Sequence, residues 1–330
     1  MIESQDPGVA KEHEARATIP GLRDGQTPTV LVDQVSKWYG DIVAVSNVTF
    51  GVAPGVTGLL GPNGAGKSTT LKMICGLLAT SSGAITIEGE AVRGRPDVYR
   101  RLGLVSEQET IYPFMSGREF VRLNAQLQRL PNVDEAVERA IATVEMESAA
   151  ERRVGGYSKG MRQRIKVAGA LVHDPDIILM DEPLNGTDPV QRVHLIRLIR
   201  QLGRSGKTVI VSSHVLEEVE RFAQNIVVIV NGRLAAVGDF RAIRERIDAH
   251  DREIRLRADN PRKLASALID TDVVRAVRID DYDRVVADTQ DVREFYRLVP
   301  ILAKDNGVRL YEVQALDESL ASVFSDLVER

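Results

Sequence analysis

A glycine-rich stretch at residues 61–69 has residue types and spacing that bind phosphate: a glycine, four further residues, then Gly-Lys-Ser. Glycines allow successive backbone N–H groups to surround an anion at the start of a helix, where the helix dipole is positive. Lys67 can then reach the β- and γ-phosphates, and the Ser68 hydroxyl can bind Mg²⁺. The stretch therefore predicts nucleoside triphosphate binding by Gly61, Pro62, Asn63, Gly64, Ala65, Gly66, Lys67, Ser68 and Thr69.

Two adjacent carboxylates, Asp181 and Glu182, follow an apolar run at residues 177–180. Such a run is typical of a parallel strand that is buried on both faces, and parallel sheets bind ligands at the carboxyl ends of their strands. We therefore expect both carboxylates near the phosphate loop. Asp181 fits Mg²⁺ coordination through water, and Glu182 fits the general base for an attacking water. Taken without the loop, the default interpretation of the pair is two ordinary surface carboxylates at the end of a strand.

A histidine, His214, ends another predicted strand at residues 207–214, and a predicted helix follows at 216–223. At the carboxyl end of a strand, its side chain could hydrogen-bond a γ-phosphate or orient water. Judged from the residues alone, a purely structural role for His214 is as well supported as a role at the phosphate.

The elements that must position these residues form an α/β pattern. A strand at 56–60 precedes the phosphate loop and a helix at 70–78 follows it. Helical periodicity at 117–129, 133–147 and 159–171 predicts an all-helical subdomain inserted between strands. Further strands are predicted at 28–35, 42–53, 84–88 and 103–106, with a turn at 37–40.

Beyond Asp239 the pattern changes to strand-helix-strand-strand-helix-strand, the order of a small α+β ferredoxin-like domain. We interpret this part as structural or dimerising, since no catalytic constellation is visible in its sequence. The predicted organisation is a disordered tail over 1–27, a nucleotide-binding domain over 28–239 with its helical subdomain at about 116–172, and an accessory domain over 240–330. A last helix is predicted at 317–328.

Composition limits the class of protein. The 330 residues carry a net charge of −4 with both signs interspersed, so no broad basic surface indicates nucleic acid. The single cysteine, Cys75, excludes an intrachain disulfide and favours a reducing cytosol. The sequence has neither an apolar run of about 18 residues nor a signal-peptide core, so we expect no membrane span and no export by that route.

Together these segments resemble the ATP-binding subunit of ABC transporters, from about residue 29 to 239. Residues 61–69 resemble its Walker A loop, 177–182 its Walker B strand, 157–163 its signature and 185–188 its D-loop. The resemblance implies a P-loop NTPase core that binds ATP and Mg²⁺, with His214 as the switch histidine. It also implies that adenine stacks on Tyr39 and that nucleotide contacts come from Ser158, Lys159, Gly160 and Asp188.

The family works as a pair of ATP-binding subunits, equal or different, that close head to tail with ATP between them. The resemblance implies such a partner and an integral membrane permease, which would hold the chain at the cytoplasmic face of the membrane. The wording of residues 157–163 is similar to the exporter branch with a separate permease chain, and residues 316–324 resemble a terminal helix of that branch.

Three positions depart from the usual family pattern. Lys159 stands where glycine is usual, which leaves the backbone donors in place if its φ is negative, and Thr187 replaces a residue that is commonly leucine. The Q-loop glutamine aligns without a gap on Glu107, whose carboxylate can also bind Mg²⁺, and a slip of one residue would restore Gln108.

The sequence therefore favours an ATP hydrolase that powers a membrane exporter. A soluble ABC ATPase acting on ribosomes or DNA is the alternative. A metabolic kinase would leave residues 157–163 unexplained.

Overall fold

The computed structural model describes residues 19–22, 25–108, 111–243 and 252–316. Its strands are β1 (Val30–Tyr39), β2 (Ile42–Val52), β3 (Gly55–Leu60), β4 (Ser82–Ile87), β5 (Glu90–Ala91), β6 (Leu102–Val105), β7 (Ile177–Met180), β8 (Thr208–Ser213), β9 (Asn225–Val230), β10 (Arg233–Asp239), β11 (Arg252–Ala258), β12 (Val274–Ile279), β13 (Val285–Thr289) and β14 (Leu310–Ala315). Its α-helices are α1 (Lys67–Ile74), α2 (Pro96–Tyr99), α3 (Gly117–Leu127), α4 (Val133–Thr143), α5 (Lys159–Leu171), α6 (Pro189–Arg204), α7 (Leu216–Glu220), α8 (Pro261–Ile269) and α9 (Val292–Asp305).

The central sheet has the strand order β10-β9-β3-β8-β7-β6. Its neighbours pair in parallel except β10, which is antiparallel to β9. Strand β7 is buried on both faces, as its apolar run predicts. Ile178 and Met180 pack into the cluster that contains the inserted helices, whereas Ile177 and Leu179 pack into the cluster around α1. Because β3, β8 and β7 are parallel neighbours, their carboxyl ends lie at the same edge of the sheet.

A second sheet, in the order β2-β1-β4-β5, packs with α1 in the same apolar cluster. The prediction of a turn at 37–40 is wrong for most of its residues: β1 continues to Tyr39, which pairs with Ile42 across a tight turn. The predicted strand ends at residue 35 because local composition favours a turn after it. Hydrogen bonds from β1 to its neighbours β2 and β4 keep the chain extended beyond that point.

Residues 19–22, which were predicted to belong to a disordered tail, lie against β2. The amide of Gly51 donates to the Pro20 carbonyl at 2.8 Å. The Leu22 side chain occupies the space that a Cβ on Gly51 would need, at 2.8 Å. A glycine in a distant strand thus provides a site for this segment, which the composition of the segment itself does not predict.

The inserted helices α3, α4 and α5 share one apolar core, formed by Phe120, Val121, Val137, Ile141 and Ile165. A capping box starts α3: Ser116 Oγ accepts from the Glu119 amide, and the Glu119 carboxylate accepts from the Ser116 amide. None of the helices in the described residues combines the length and the hydropathy that crossing a bilayer requires.

The last part of the described chain forms an antiparallel sheet in the order β12-β13-β11-β14. Helices α8 and α9 share an apolar cluster with one face of this sheet, built from Ile254, Leu256, Leu264, Val285 and Phe295. The element order is β-α-β-β-α-β, the split β-α-β arrangement. The predicted helix at 317–328 lies outside the described residues, as does all of the 316–324 segment except Leu316.

His173, just after α5, makes stability depend on pH. Burial lowers the pKa of its imidazole, although a contact of 3.0 Å between Nε2 and the Leu102 carbonyl opposes the shift. Asp174 and Lys207 are the nearby charges, and a hydrogen bond from Lys207 lowers the pKa of Asp174, so that this carboxyl titrates at lower pH.

We therefore expect the free energy of unfolding to be highest above the unfolded histidine pKa of about 6.5 and to fall below it, by at most about 1.4 kcal/mol per pH unit. Below pH 6.5 the unfolded chain takes up a proton that the partly buried imidazole of His173 resists. His173→Asn should reduce the difference between urea midpoints at pH 7.0 and pH 5.5. An unchanged difference would contradict the assignment.

Candidate functional site

The phosphate loop connects the carboxyl end of β3 to the first turn of α1. Its close packing depends on two glycines. A Cβ on Gly61 would lie 2.1 Å from the Ile229 carbonyl oxygen. Gly66 has φ +104°, and a Cβ there would lie 2.6 Å from the Ala44 oxygen. Because Gly66 has no side chain, no side-chain cap satisfies the first amides of α1 among the described residues, and uncapped amides at a helix start can bind an anion.

Lys67 is buried in this loop, with 6% of its side chain exposed. Its ammonium donates to the carbonyls of Gly61 at 2.8 Å and Pro62 at 3.1 Å. The same Nζ lies 3.2 Å from Glu182 Oε1. The loop lysine and the second carboxylate after β7, which are far apart in the sequence, are thus in direct contact.

Asp181 lies beside the first turn of α1. Ser68 Oγ donates to Asp181 Oδ1 at 3.0 Å, and Ser212 Oγ, at the end of β8, donates to the same oxygen at 2.7 Å. The Asp181 amide donates to the Val105 carbonyl at 2.8 Å, which fixes the backbone against β6. Ser68 and Asp181, the residues predicted to bind Mg²⁺, are therefore adjacent.

Glu182 is held in an unusual conformation, with φ +46°. A left-handed conformation costs an ordinary residue about 1–3 kcal/mol and often marks a functional position. Its amide donates to Ser212 Oγ at 2.8 Å, and its Oε2 contacts His214 Nδ1 at 3.0 Å. Its Oε1 is buried and, in the described part of the chain, accepts no hydrogen bond of good geometry, but it forms the ion pair with Lys67 Nζ at 3.2 Å. Glu182 is thus joined to the loop lysine through one carboxylate oxygen and to the histidine after β8 through the other.

The charges of the cluster fit a divalent cation. Asp181 and Glu182 are two buried carboxylates, with one buried ammonium, Lys67, against them. Within the described ranges, no group of three His, Cys, Asp or Glu side chains could hold a metal alone. Mg²⁺ commonly uses one or two protein ligands together with waters and substrate phosphates. The hydroxyl of Ser68 and the carboxylate of Asp181 form a donor set of that kind.

Glu107, the third predicted metal ligand, is not joined to this pair. Its Oε1 accepts from Asn185 Nδ2 at 3.4 Å, and in the described residues no hydrogen bond joins its side chain to Ser68 or Asp181. The next residue, Gln108, donates its amide to Ser106 Oγ at 3.3 Å. Both alternatives for the Q-loop position therefore stay predictions.

Ser158, Lys159 and Gly160 form the start of α5, where Ser158 Oγ caps the helix by accepting from the Met161 amide at 3.2 Å. Across the described residues, no hydrogen bond or ion pair joins them to the phosphate loop. Asp188 caps α6 in the same way, accepting from Gln191 at 2.9 Å. Tyr39 is 49% exposed at the end of β1, with Lys37 Nζ 5.1 Å from its ring centroid.

An exposed aromatic pair lies between the 106–108 segment and α3. The rings of Tyr112 and Phe114 are 5.7 Å apart and are 50% and 70% exposed. The backbone beside them is held by hydrogen bonds from Gly155 to Pro113 and from Val154 to Met115. These residues therefore hold the loop on the helical subdomain through the backbone and leave both aromatic rings accessible.

A separate apolar depression of about 290 Å³ lies beside α1 and β6. Burial raises the pKa of the Cys75 thiol on its wall and keeps the thiol protonated at neutral pH, while Leu77 at its rim is 71% exposed. Its remaining lining residues are Gly76, Tyr99, Leu102 and Leu104.

Sequence reasoning missed Ser212, which contacts both Asp181 and Glu182. Its position two residues before His214, at the carboxyl end of a predicted strand, was the only available signal. A serine within a strand is otherwise unremarkable, so its importance becomes visible only when β7 and β8 are paired.

Fold and site together define a P-loop ATPase with an inserted helical subdomain. The sequence profile of the ABC transporter family matches residues 45–185. The chain is 38% identical over 216 residues to the Nod factor export ATP-binding protein I of Cupriavidus metallidurans, covering 64% of this chain and 71% of that protein. It is 36% identical to the linearmycin resistance ATP-binding protein LnrL of Bacillus subtilis, covering 62% and 68%. The chain belongs to the ATP-binding subunits of ABC transporters.

Solved structures agree with this assignment. One described as the ATP-binding subunit of an ABC transporter has a TM-score of 0.60 at 29% identity and covers 66% of this chain and 92% of its own. A dimeric ATP-binding cassette with ADP and phosphate has a TM-score of 0.59, covering 64% and 98%, and at 24% identity it shows the fold alone. The prediction of an ABC-type ATP hydrolase with a P-loop core is confirmed.

Proposed function

We propose that this chain pairs with a second ATP-binding subunit and hydrolyses MgATP to drive export through a separate membrane permease. One observation supports the pairing above all: among the residues that the structure describes, no hydrogen bond or ion pair joins the phosphate loop to the Ser158-capped start of α5. Both are phosphate-binding elements by their chemistry. In a head-to-tail pair, each loop would meet the start of α5 from the other subunit.

In this proposal ATP binding redirects Lys67. Its ammonium has two carbonyl acceptors and Glu182 as neighbours. The β- and γ-phosphates would compete for it, since charge-assisted hydrogen bonds to anions are stronger than those to neutral carbonyls. Loss of the Lys67 contact would leave Glu182 Oε1 available to a water molecule.

Glu182 then acts as general base. Oε1 accepts a proton from water as the water oxygen attacks the γ-phosphorus, and the bond from that phosphorus to the bridging oxygen of ADP breaks. His214, 3.0 Å from Oε2, orients the carboxylate. Mg²⁺, held by Ser68 and by Asp181 through water, would neutralise charge on the phosphates. Ser212 keeps both carboxylates in place.

The permease is proposed to contact the exposed pair Tyr112 and Phe114 and the depression that begins at Leu77. Exposed aromatic residues on a backbone held by hydrogen bonds suit an interface, because little entropy is lost on binding. The location at the cytoplasmic face of a membrane follows from this contact and belongs to the same proposal.

Co-purification tests this function. The tagged chain, expressed in its own cells, should capture an integral membrane protein, and Tyr112→Asp with Phe114→Asp should lower that capture at least tenfold, since buried aromatic anchors contribute about 2 kcal/mol or more. Tyr282→Asp, a control at a 78% exposed tyrosine, should capture normally. Co-purification of ribosomal RNA or DNA without a membrane protein would favour the soluble alternative.

A further inference from the structure

Lys166 is a buried lysine outside the cluster described above. It lies on α5 and only 6% of it is exposed. Its ammonium donates to the carbonyls of Ser106 and of Gln108, the latter at 3.1 Å, and lies 3.5 Å from the Glu107 carbonyl. One side chain of the helical subdomain thus binds the backbone of three consecutive residues that follow β6.

Burying an ammonium is unfavourable unless its N–H groups find acceptors. The 106–108 segment has no regular secondary structure, so its carbonyls need partners from elsewhere. Lys166 and the segment therefore satisfy each other's hydrogen-bonding groups. Replacing the ammonium with an apolar group of similar length would remove the only side chain that is shown to hold these carbonyls in the described residues.

This contact also orients Glu107. The backbone carbonyl of Glu107 faces Lys166 on α5. Its side-chain carboxylate extends instead to Asn185, in the 185–188 segment that precedes α6. At its other end the segment follows Val105, whose carbonyl accepts from the Asp181 amide at 2.8 Å. The segment is therefore held at one end by the carboxylate cluster and at the other by α5.

We propose that Lys166 is a positioning residue that makes the 106–108 segment move as one body with α5. Ser158 caps the start of α5, which is proposed to contact the phosphates of the ATP bound to the partner subunit. The inference therefore rests on the proposed function. Docking of α5 would then set the position of the Glu107 carboxylate through this single ammonium. The ATP site and the inserted helices would be coupled through it.

Amide hydrogen exchange on the full-length chain tests the contact without any assay of activity. Lys166→Met should raise exchange in the 106–108 segment, read at the Gln108 amide that donates to Ser106 Oγ at 3.3 Å, because the carbonyls on either side of that turn lose the ammonium that holds them. Exchange in α5 and β6 should stay within twofold. Lys207→Met is the matched control, because Lys207 also donates to a backbone carbonyl, Pro175 at 2.8 Å, away from the site.

A mutant cycle tests the positioning role. Lys166→Met should raise the Mg²⁺ concentration for half-maximal ATPase by roughly fivefold or more, and should add less than about twofold in a Glu107→Gln background, because coupled residues are not additive. Additive effects, or unaltered exchange at 106–108, would overturn the proposal. If Lys166→Met does not fold, Lys166→Gln is measured with the same expected exchange.

The two proposals can fail separately. Should the unmodified chain show no Mg²⁺-dependent ATPase, the proposed function fails while hydrogen exchange still decides whether Lys166 holds the segment. Should ATPase be normal and the exchange of Lys166→Met match that of the unmodified chain, only the positioning role is lost.

Discussion

Glu182→Gln is expected to lower the ATP hydrolysis rate by about 10²–10⁴-fold, the usual contribution of a general base. Glutamine preserves the size of the side chain and a contact to His214, but it cannot accept the proton from water. ATP affinity should be retained or should rise, because the variant loses the carboxylate that competes with the phosphates for Lys67. Steady-state phosphate release and equilibrium binding of a fluorescent ATP analogue measure the two quantities.

The same variant tests pairing. With hydrolysis blocked, MgATP should hold two subunits together, and sedimentation should show a species of twice the mass that vanishes when ATP is withdrawn. Glu218→Gln, at a carboxylate that contacts Arg192 and Ser213 instead, is the control and should keep the normal rate. Undiminished hydrolysis by Glu182→Gln would remove the assigned base.

Lys67→Met is expected to weaken ATP binding itself, by roughly 10–100-fold, because a charge-assisted hydrogen bond contributes about 1.5–3 kcal/mol and each 1.4 kcal/mol is tenfold in affinity. The loss should be in the dissociation constant of ATP, measured by calorimetry, and not only in turnover. The variant also removes the cation that pairs with the buried Glu182 carboxylate, which can lower stability. Thermal unfolding of the variant is therefore measured together with its ATP affinity.

Lys72→Met is the matched control for Lys67→Met. Lys72 lies on the same helix, α1, and its side chain is exposed. The Lys72→Met variant should therefore bind ATP with normal affinity. Equal losses from both variants would mean that general positive charge, rather than the loop geometry, attracts the nucleotide. Normal affinity in Lys67→Met would contradict the role of the loop lysine.

Much of the site could be predicted because its parts are short and local. The loop motif needs only nine consecutive residues, and Asp181 and Glu182 directly follow their strand. Helices with strong periodicity were also predictable: α5 spans Lys159–Leu171, the predicted range. The ends of helices that depend on contacts with distant residues were harder to predict. Helix α1 spans Lys67–Ile74, whereas the sequence predicts a helix over 70–78.

The sequence by itself determined which chemistry this protein carries, because phosphate loops, paired carboxylates and capped helix starts are encoded by neighbouring residues. Only the tertiary structure decided which distant groups meet. It brought Ser212 to Asp181, gave Glu182 its positive φ, and placed Lys166 under the segment after β6. These contacts join strands and helices that are far apart along the chain, and their cause is sheet pairing and burial, which no local pattern records.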